Sequence, residues 1–383
     1  MKKIILMFVV ILILFPITVQ AYDENNYAKE TKENEQQIMQ LYNYMTKIKG
    51  KYEVLKDFDI KDYVEYYMKN GKGNTSIDKF GKALASYFMQ DIASSLKLVS
   101  TLIFICIVCA LLTNLQAAFS SEKLTQIAYF SCYAIIIIII AKNFKVCVGT
   151  AQEAMKDISD MMGAVVPILL TLLVSSGSLV ESTVFDPVIL FSINFTEKVF
   201  TDVLIPIILL SFILEFINNL SEDYKISNLS KLLRKSVMWI QGMIMTIFIG
   251  IITIRGINAK AIDNVTAKTA KFAVDNFVPI VGKCLSDAIS TVAGYSILLK
   301  NAIGTVGLII LIVMILFPII KIFLFAFVHK LVAAFVEPIS DKRIVNCLNS
   351  VGDCLILIGS CLIGVAVMFF IMLAIIIAAG KVV

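Results

Sequence analysis

Few residues in this chain could do chemistry, and they are oddly placed. His329 is the only histidine among 383 residues, so no two-histidine metal site or proton relay can be assembled. It stands beside Lys330, where the pair reads as part of a basic membrane edge. Of the eight cysteines, Cys106 and Cys109 have the spacing of a metal pair. No second pair accompanies them, and the surrounding run is apolar, so small packing residues describe them as well. Cys347, Cys354 and Cys361 recur at a spacing of seven, which places them on one helix face. The sequence has no Walker A loop, dinucleotide fingerprint, HExxH or GxSxG. The chain is therefore not expected to be an enzyme, and no catalytic residue, cofactor or metal is expected. Nucleic acid is not an expected partner either, because the lysines form no stripe interleaved with aromatics.

What remains is charge set among apolar residues. Asp275, Lys283 and Asp287 accompany Pro279 in the segment Phe272–Gly294. Each charge costs roughly 2.5–3.5 kcal/mol at the centre of a membrane helix. Lys283 and Asp287 are four apart, share a helical face and could pair. Either these residues line a polar pathway or partner groove, or they mark an amphipathic helix whose charges face water. Glu215 and Lys321 each lie on an apolar run near a proline, Pro206 and Pro318, and could pair or snorkel. With Pro167, these prolines are the expected helix-breaking or kinking positions.

The elements that must position such residues are membrane helices. Apolar side chains make up 58% of the chain and cluster in runs near the ~18 residues that mark a spanning helix. Six runs are expected to span: Leu96–Gln116, Ile127–Ala141, Val203–Leu220, Val237–Ile254, Ile303–Val328 and Cys354–Ala379. Two proline-containing segments, Met161–Ser178 and Phe272–Gly294, fit a re-entrant or interfacial course better. The fold class is thus all-α, a polytopic membrane protein of about six to eight transmembrane or re-entrant helices.

Lys2 and Lys3, the apolar run Ile4–Val19 and the small-residue site at Ala21 follow the order of an export signal, residues 1–21. Residues 22–95 are polar and read as a small extracytoplasmic helical module. One of its helices is expected from Asp59 to Asn70, stopped by Gly71. Residues 96–383 form the membrane body. A shift of 112 residues brings Pro167 onto Pro279 and Pro206 onto Pro318, which suggests an internal repeat over 127–238 and 239–350. Repeats in membrane bodies often place a cavity at their interface. Starting outside, six spans put the loop with Lys225, Lys231, Arg234 and Lys235 inside, together with the loop carrying Lys330, Lys342 and Arg343. The stretch holding Arg255, Lys260, Lys268 and Lys271 then falls outside, against the positive-inside tendency.

Three strings carry a resemblance: FVPIVGKCLSDAIS (Phe277–Ser290), EPISDKRIVNCL (Glu337–Leu348) and VVPILLTLLVSSGS (Val165–Ser178). They are similar to stretches of the stage III sporulation protein AE family, and the likeness covers nearly the whole chain. The resemblance implies a protein of the mother-cell membrane surrounding the forespore. It also implies partnership with the other proteins of the stage III sporulation A operon, in a secretion-like channel complex needed for forespore development and late forespore gene expression. The lipid bilayer is the other expected partner, and further copies of the chain remain an open alternative. The family supplies no catalytic residues. A stand-alone secondary transporter for a small solute is the rival reading, supported by the repeat and the charges within apolar segments.

Overall fold

The polar residues before the first apolar run already show how local chemistry sets the helices. Asp59 has an extended backbone, and its carboxylate accepts from the N–H groups of Lys61 at 2.9 Å and Asp62 at 3.3 Å. This satisfies donors that a helix start leaves orphaned. Gly71, at φ 65°, ends the same helix and donates its N–H to Tyr67 O at 2.8 Å. Helix α1 (Ile60–Asn70) therefore sits where the sequence places it, and it buries Ile60, Tyr63 and Val64.

The structure is a computed structural model. It describes residues 46, 48, 50–52, 55, 59–71, 89, 97, 99–112, 122–176, 189, 191–220, 226–277 and 281–379; the side chains of 122–126, 128, 255–290 and 292 lie outside this description. The expected signal 1–21, most of the module 22–95 and Pro279 fall outside the described residues. After α1 come α2 (Val99–Leu112), α3 (Glu122–Ser175), α4 (Phe191–Leu220), α5 (Ser227–Phe277), α6 (Val281–Val336) and α7 (Lys342–Ala378). Five of these, α3 to α7, are long and apolar enough to cross a membrane, and α2 is a shorter apolar helix. The protein is an all-helical polytopic membrane protein.

The helices are longer than the apolar runs alone predict. At 54 residues, α3 extends about 81 Å, against a hydrocarbon core of about 30 Å. It joins two segments that the sequence separates, Ile127–Ala141 and Met161–Ser178, through the charged stretch between them. The reason lies in the spacing of Phe144, Cys147, Val148, Ala151, Met155 and Ile158, which fall on one helical face and are all buried. Pro167 lies within α3 and Pro318 within α6, and both helices continue through them. Each proline removes only its own N–H bond to the carbonyl four residues earlier, and packing against neighbouring helices offsets such a loss in membrane helices. Pro206 has a different local effect. It follows a π-helical turn, Phe200–Leu204, in which the N–H of Ile205 reaches back five residues to Phe200 O. The widened turn accommodates a ring that would crowd a normal one.

Helices α6 and α7 pair most extensively, α3 packs against both, and α4 and α5 close against α7. Helix α1 packs on α6. Tyr133, Phe144, Phe200 and Phe369 are among the largest fully buried side chains. Phe144 of α3 stacks on Phe212 of α4, with ring centroids 3.8 Å apart. Lipid tails are as apolar as these side chains, so the bundle is held by close packing and interhelical hydrogen bonds rather than by the hydrophobic effect between helices.

Candidate functional site

The C-terminal ends of α4 and α6 lie at the same end of the bundle as the N-terminal ends of α5 and α7, and a network of charges spans the four helices just inside that end. It begins with two serines. Ser211 Oγ on α4 donates to Ser230 O on α5, and Ser230 Oγ donates back to Ser211 O, each at 3.1 Å. Both side chains are fully buried. This reciprocal tie fixes the α4–α5 register, with Glu215 one turn nearer the α4 end and Arg234 one turn further along α5, so that the arginine side chain reaches back past the serines to the carboxylate. Glu215 Oε2 lies 3.4 Å from Arg234 Nη2, with side-chain exposures of only 9% and 13%. Ser350 Oγ on α7 donates to Glu215 Oε1 at 2.9 Å. Arg234 also reaches Asp353 on α7, Nη1 to Oδ2 at 3.6 Å, and Lys330 Nζ on α6 lies 2.6 Å from Asp353 Oδ1. Two carboxylates and two cations thus tie α4, α5, α6 and α7 into a charge-neutral girdle.

The approach of α6 to α7 depends on a missing side chain. A Cβ on Gly352 would lie 2.7 Å from Lys330 Cγ and 3.2 Å from Ala326 O. Only glycine lets the Lys330 stem cross there on its way to Asp353.

A second polar layer stands toward the helix ends. Tyr129 OH donates to Asn219 O at 2.9 Å, and Tyr133 OH to Phe216 O at 3.1 Å. Asn219 Nδ2 donates to Glu215 O at 2.8 Å. The Arg343 guanidinium lies 3.8 Å from the centroid of the Tyr129 ring, a cation–π contact. Arg343 also grips Asp341, Nε to Oδ1 at 3.1 Å and Nη2 to Oδ2 at 2.9 Å. Asp341 caps α7 through the Arg343 N–H at 2.8 Å. Burial alone would raise the Asp341 carboxyl, but the hydrogen bonds and charge of Arg343 outweigh it and hold the group below its ordinary value.

The girdle uses one of the charges singled out from the sequence. Glu215 takes Arg234 and Ser350 as partners and is not paired with Lys321. Lys321 sits half-buried on α6, near Cys147 of α3. Asp275 lies on the last turns of α5, and Lys283 and Asp287 on the first turns of α6, where helical backbone keeps them on one face. Their side chains are outside the description. His329 is fully buried rather than at an exposed basic edge. Its Nδ1 lies 2.7 Å from Phe325 O, a carbonyl that can only accept, so Nδ1 carries the proton. Nε2 has no partner among the described residues. Cys106, Cys109, Cys132, Cys147, Cys347, Cys354 and Cys361 are buried thiols outside any disulfide. Among the described residues, no group of three or more His, Cys, Asp or Glu side chains could hold a metal ion.

Sequence reasoning missed Arg234 and Ser350 as partners of Glu215, and Lys330 and Asp353 as the other pair of the girdle, because the cations were absorbed into the basic loops. The available signal was an acid beside an apolar run, with Arg234 across a short hairpin and Asp353 immediately before Cys354. Chemically, the girdle is suited to fixing helices at one membrane face. Its most buried acid, Glu215, is engaged by both a cation and a hydroxyl.

No solved structure matches the chain. A curated protein from Bacillus subtilis (strain 168), stage III sporulation protein AE, is 37% identical over 312 residues, covering 82% of this chain and 78% of that protein. The family profile described as stage III sporulation protein AE matches residues 58–380, a range that takes in α1, the bundle and the complete girdle. The chain belongs to the stage III sporulation protein AE family.

Proposed function

We propose that this protein is a membrane component of the secretion-like channel complex linking mother cell and forespore, and that it works there without catalysing a reaction. It acts with the other proteins of the stage III sporulation A operon and is needed for forespore development and late forespore gene expression. The observation that carries this reading is the family match from residue 58 to 380, which spans all five long apolar helices. A sporulation role follows from the family; the channel and its partners are the finer step proposed here.

The helix order gives the proposal an orientation. Export of residues 22–95 sets α1 outside. With the run Leu96–Gln116, of which α2 is the described part, as the first crossing, α2 to α7 cross in alternating directions, and the α4–α5 and α6–α7 connections both face the cytoplasm. Their flanks carry Lys225, Lys231, Arg234 and Lys235, and Lys330, Lys342 and Arg343, as the positive-inside rule requires. The girdle therefore marks the cytoplasmic boundary in the mother-cell membrane.

The test is a deletion strain followed through sporulation. Development is expected to stop after engulfment, with vegetative growth intact and late forespore genes silent. A normal spore yield overturns the proposal. So does solute flux by the purified protein in liposomes without partners, which is the behaviour of a stand-alone transporter.

A further inference from the structure

The apolar surfaces of the bundle do not lie at one height. Packing contacts fix the heights. Tyr133 of α3 stands beside Cys347 of α7. Further along, a Cβ on Gly307 of α6 would meet Val165 of α3 at 3.5 Å and Leu373 of α7 at 3.9 Å. The α3 residues between Tyr133 and Val165 therefore run alongside the α7 residues between Cys347 and Leu373. Over that interval α7 turns Ile356, Ile363, Val367 and Phe370 outward, a surface suited to lipid. The facing stretch of α6, Ile310–Val328, carries one charge, Lys321.

At the same height α3 turns charge outward. Lys142, Lys145, Glu153, Lys156 and Asp160 are all exposed and fall on one helical face, together with Gly149 and Gly163. Helix α4 extends the patch: Glu197 is close to Asp160, Lys156 and Asp202, and Lys198 and Asp202 are exposed. The π-helical turn begins within this patch, as such turns often do at functional sites. Phe191 and Phe195 of α4 are exposed beyond the charges and Val146 and Val203 among them, while Ile127, Phe130 and Ile138 on α3 and Ile213 and Ile217 on α4 sit nearer the cytoplasmic end. There α7 is still polar, from Lys342 to Asp353. Lysines can snorkel out of lipid, but Asp160 and Asp202 are too short to do so.

Lipid cannot cover this face at the height set by α7. A dry contact with another copy is no better. Copies sharing one orientation in the membrane, turned with this face toward a common axis normal to the bilayer, bring Lys142 to the height of Lys142 and Asp160 to the height of Asp160. Like charges then meet without water between them. Lys51, from the polar module, reaches this height and pairs with Glu153 at 2.7 Å and Asp157 at 2.6 Å, while remaining substantially exposed. Thr196 Oγ1 and Thr201 Oγ1, beside the α4 charges, have no partner among the described residues.

We infer that the charged face of the α3–α4 hairpin, with Lys51 of the same chain against it, lines a water-filled passage through the bilayer, and that other polypeptides complete its wall. The passage deepens the channel reading above and rests on it. Rings of charge at fixed heights are how such passages admit water and hydrated ions.

The test is cysteine labelling of the full-length protein in the membranes of sporulating cells, using a charged, membrane-impermeant maleimide. Gly149→Cys and Gly163→Cys test the face, because nothing lies within 4 Å of a Cβ added at either position. Ile363→Cys and Val367→Cys test α7 at the same height. Native cysteines are first replaced, and membrane insertion and sporulation are checked for each variant. Labelling at 149 and 163 at least tenfold faster than at 363 and 367 is expected. Equally slow labelling at all four, in variants that insert and sporulate, overturns the passage and leaves the channel-complex reading standing. A deletion strain with normal spore yield overturns the latter, whatever the labelling shows.

Discussion

Replacing Arg234 with methionine leaves Glu215 buried beside α5 with only the Ser350 hydroxyl to satisfy it. Both members of the pair are almost wholly enclosed, so solvent screening gives little relief. Removing one partner of a buried ion pair costs about 3–5 kcal/mol. The 3.4 Å separation of Glu215 and Arg234 puts this pair at the lower end, about 3 kcal/mol, or roughly a hundredfold in the folded ratio. If the cost comes from the stranded charge, the double variant Glu215→Gln/Arg234→Met recovers most of it, because a neutral amide at 215 still accepts from Ser350. Lys330→Met is the control. The side chains of Lys330 and Asp353 are 40% and 51% exposed, and such pairs contribute about 0–1 kcal/mol. Thermal unfolding of the full chain in mild detergent reads all three variants. The reasoning is refuted if the double variant is as unstable as Arg234→Met, or if Lys330→Met costs as much as Arg234→Met.

Three further outcomes follow from the local geometry. Gly352→Ala drives a methyl against Lys330 and the Ala326 carbonyl and is expected to cost about 1–3 kcal/mol, whereas Gly149→Ala meets nothing within 4 Å and gains up to about 1 kcal/mol of helix propensity; the same detergent assay compares them. The Asp341 carboxyl is held below its ordinary value, so its contribution is present above the ordinary carboxylate range and disappears as pH falls through the lowered value. Asp341→Asn should flatten the acid limb of a stability–pH curve measured from pH 7 downward. Asp59→Ala removes the α1 cap and should loosen that helix by about 1 kcal/mol, seen as faster proteolysis around residues 59–71 with the bundle unchanged.

The sequence makes much of this fold legible because apolar runs and capping residues are local signals. Asp59 and Gly71 bracket α1 as expected, and the runs in α4, α5, α6 and α7 are long enough to be read directly. Helix α3 is harder. The charges of Lys142–Asp160 resemble a loop between two apolar segments, while the buried face that makes them one helix shows only in the spacing of Phe144, Cys147, Ala151 and Met155. The girdle is legible in part: Glu215 is conspicuous in an apolar run, but its choice of Arg234 over Lys321 depends on the height at which α4 meets α5. Heights follow from packing between helices distant in sequence. The same limit hides the burial of His329 and the charged face at the level of the α7 apolar surface.

The pairing pattern of the girdle also bears on how the chain enters the bilayer. Glu215 and Arg234 belong to one hairpin, and Lys330 and Asp353 to the next, so each hairpin leaves the translocon already carrying the counter-charge for its own acid. Neither acid waits, exposed to acyl chains, for a later part of the polypeptide to be synthesised. Only the crosslinks between hairpins, Arg234 to Asp353 and Ser350 to Glu215, form after ribosomal release of α7, and they act as a latch that closes once both hairpins are in place.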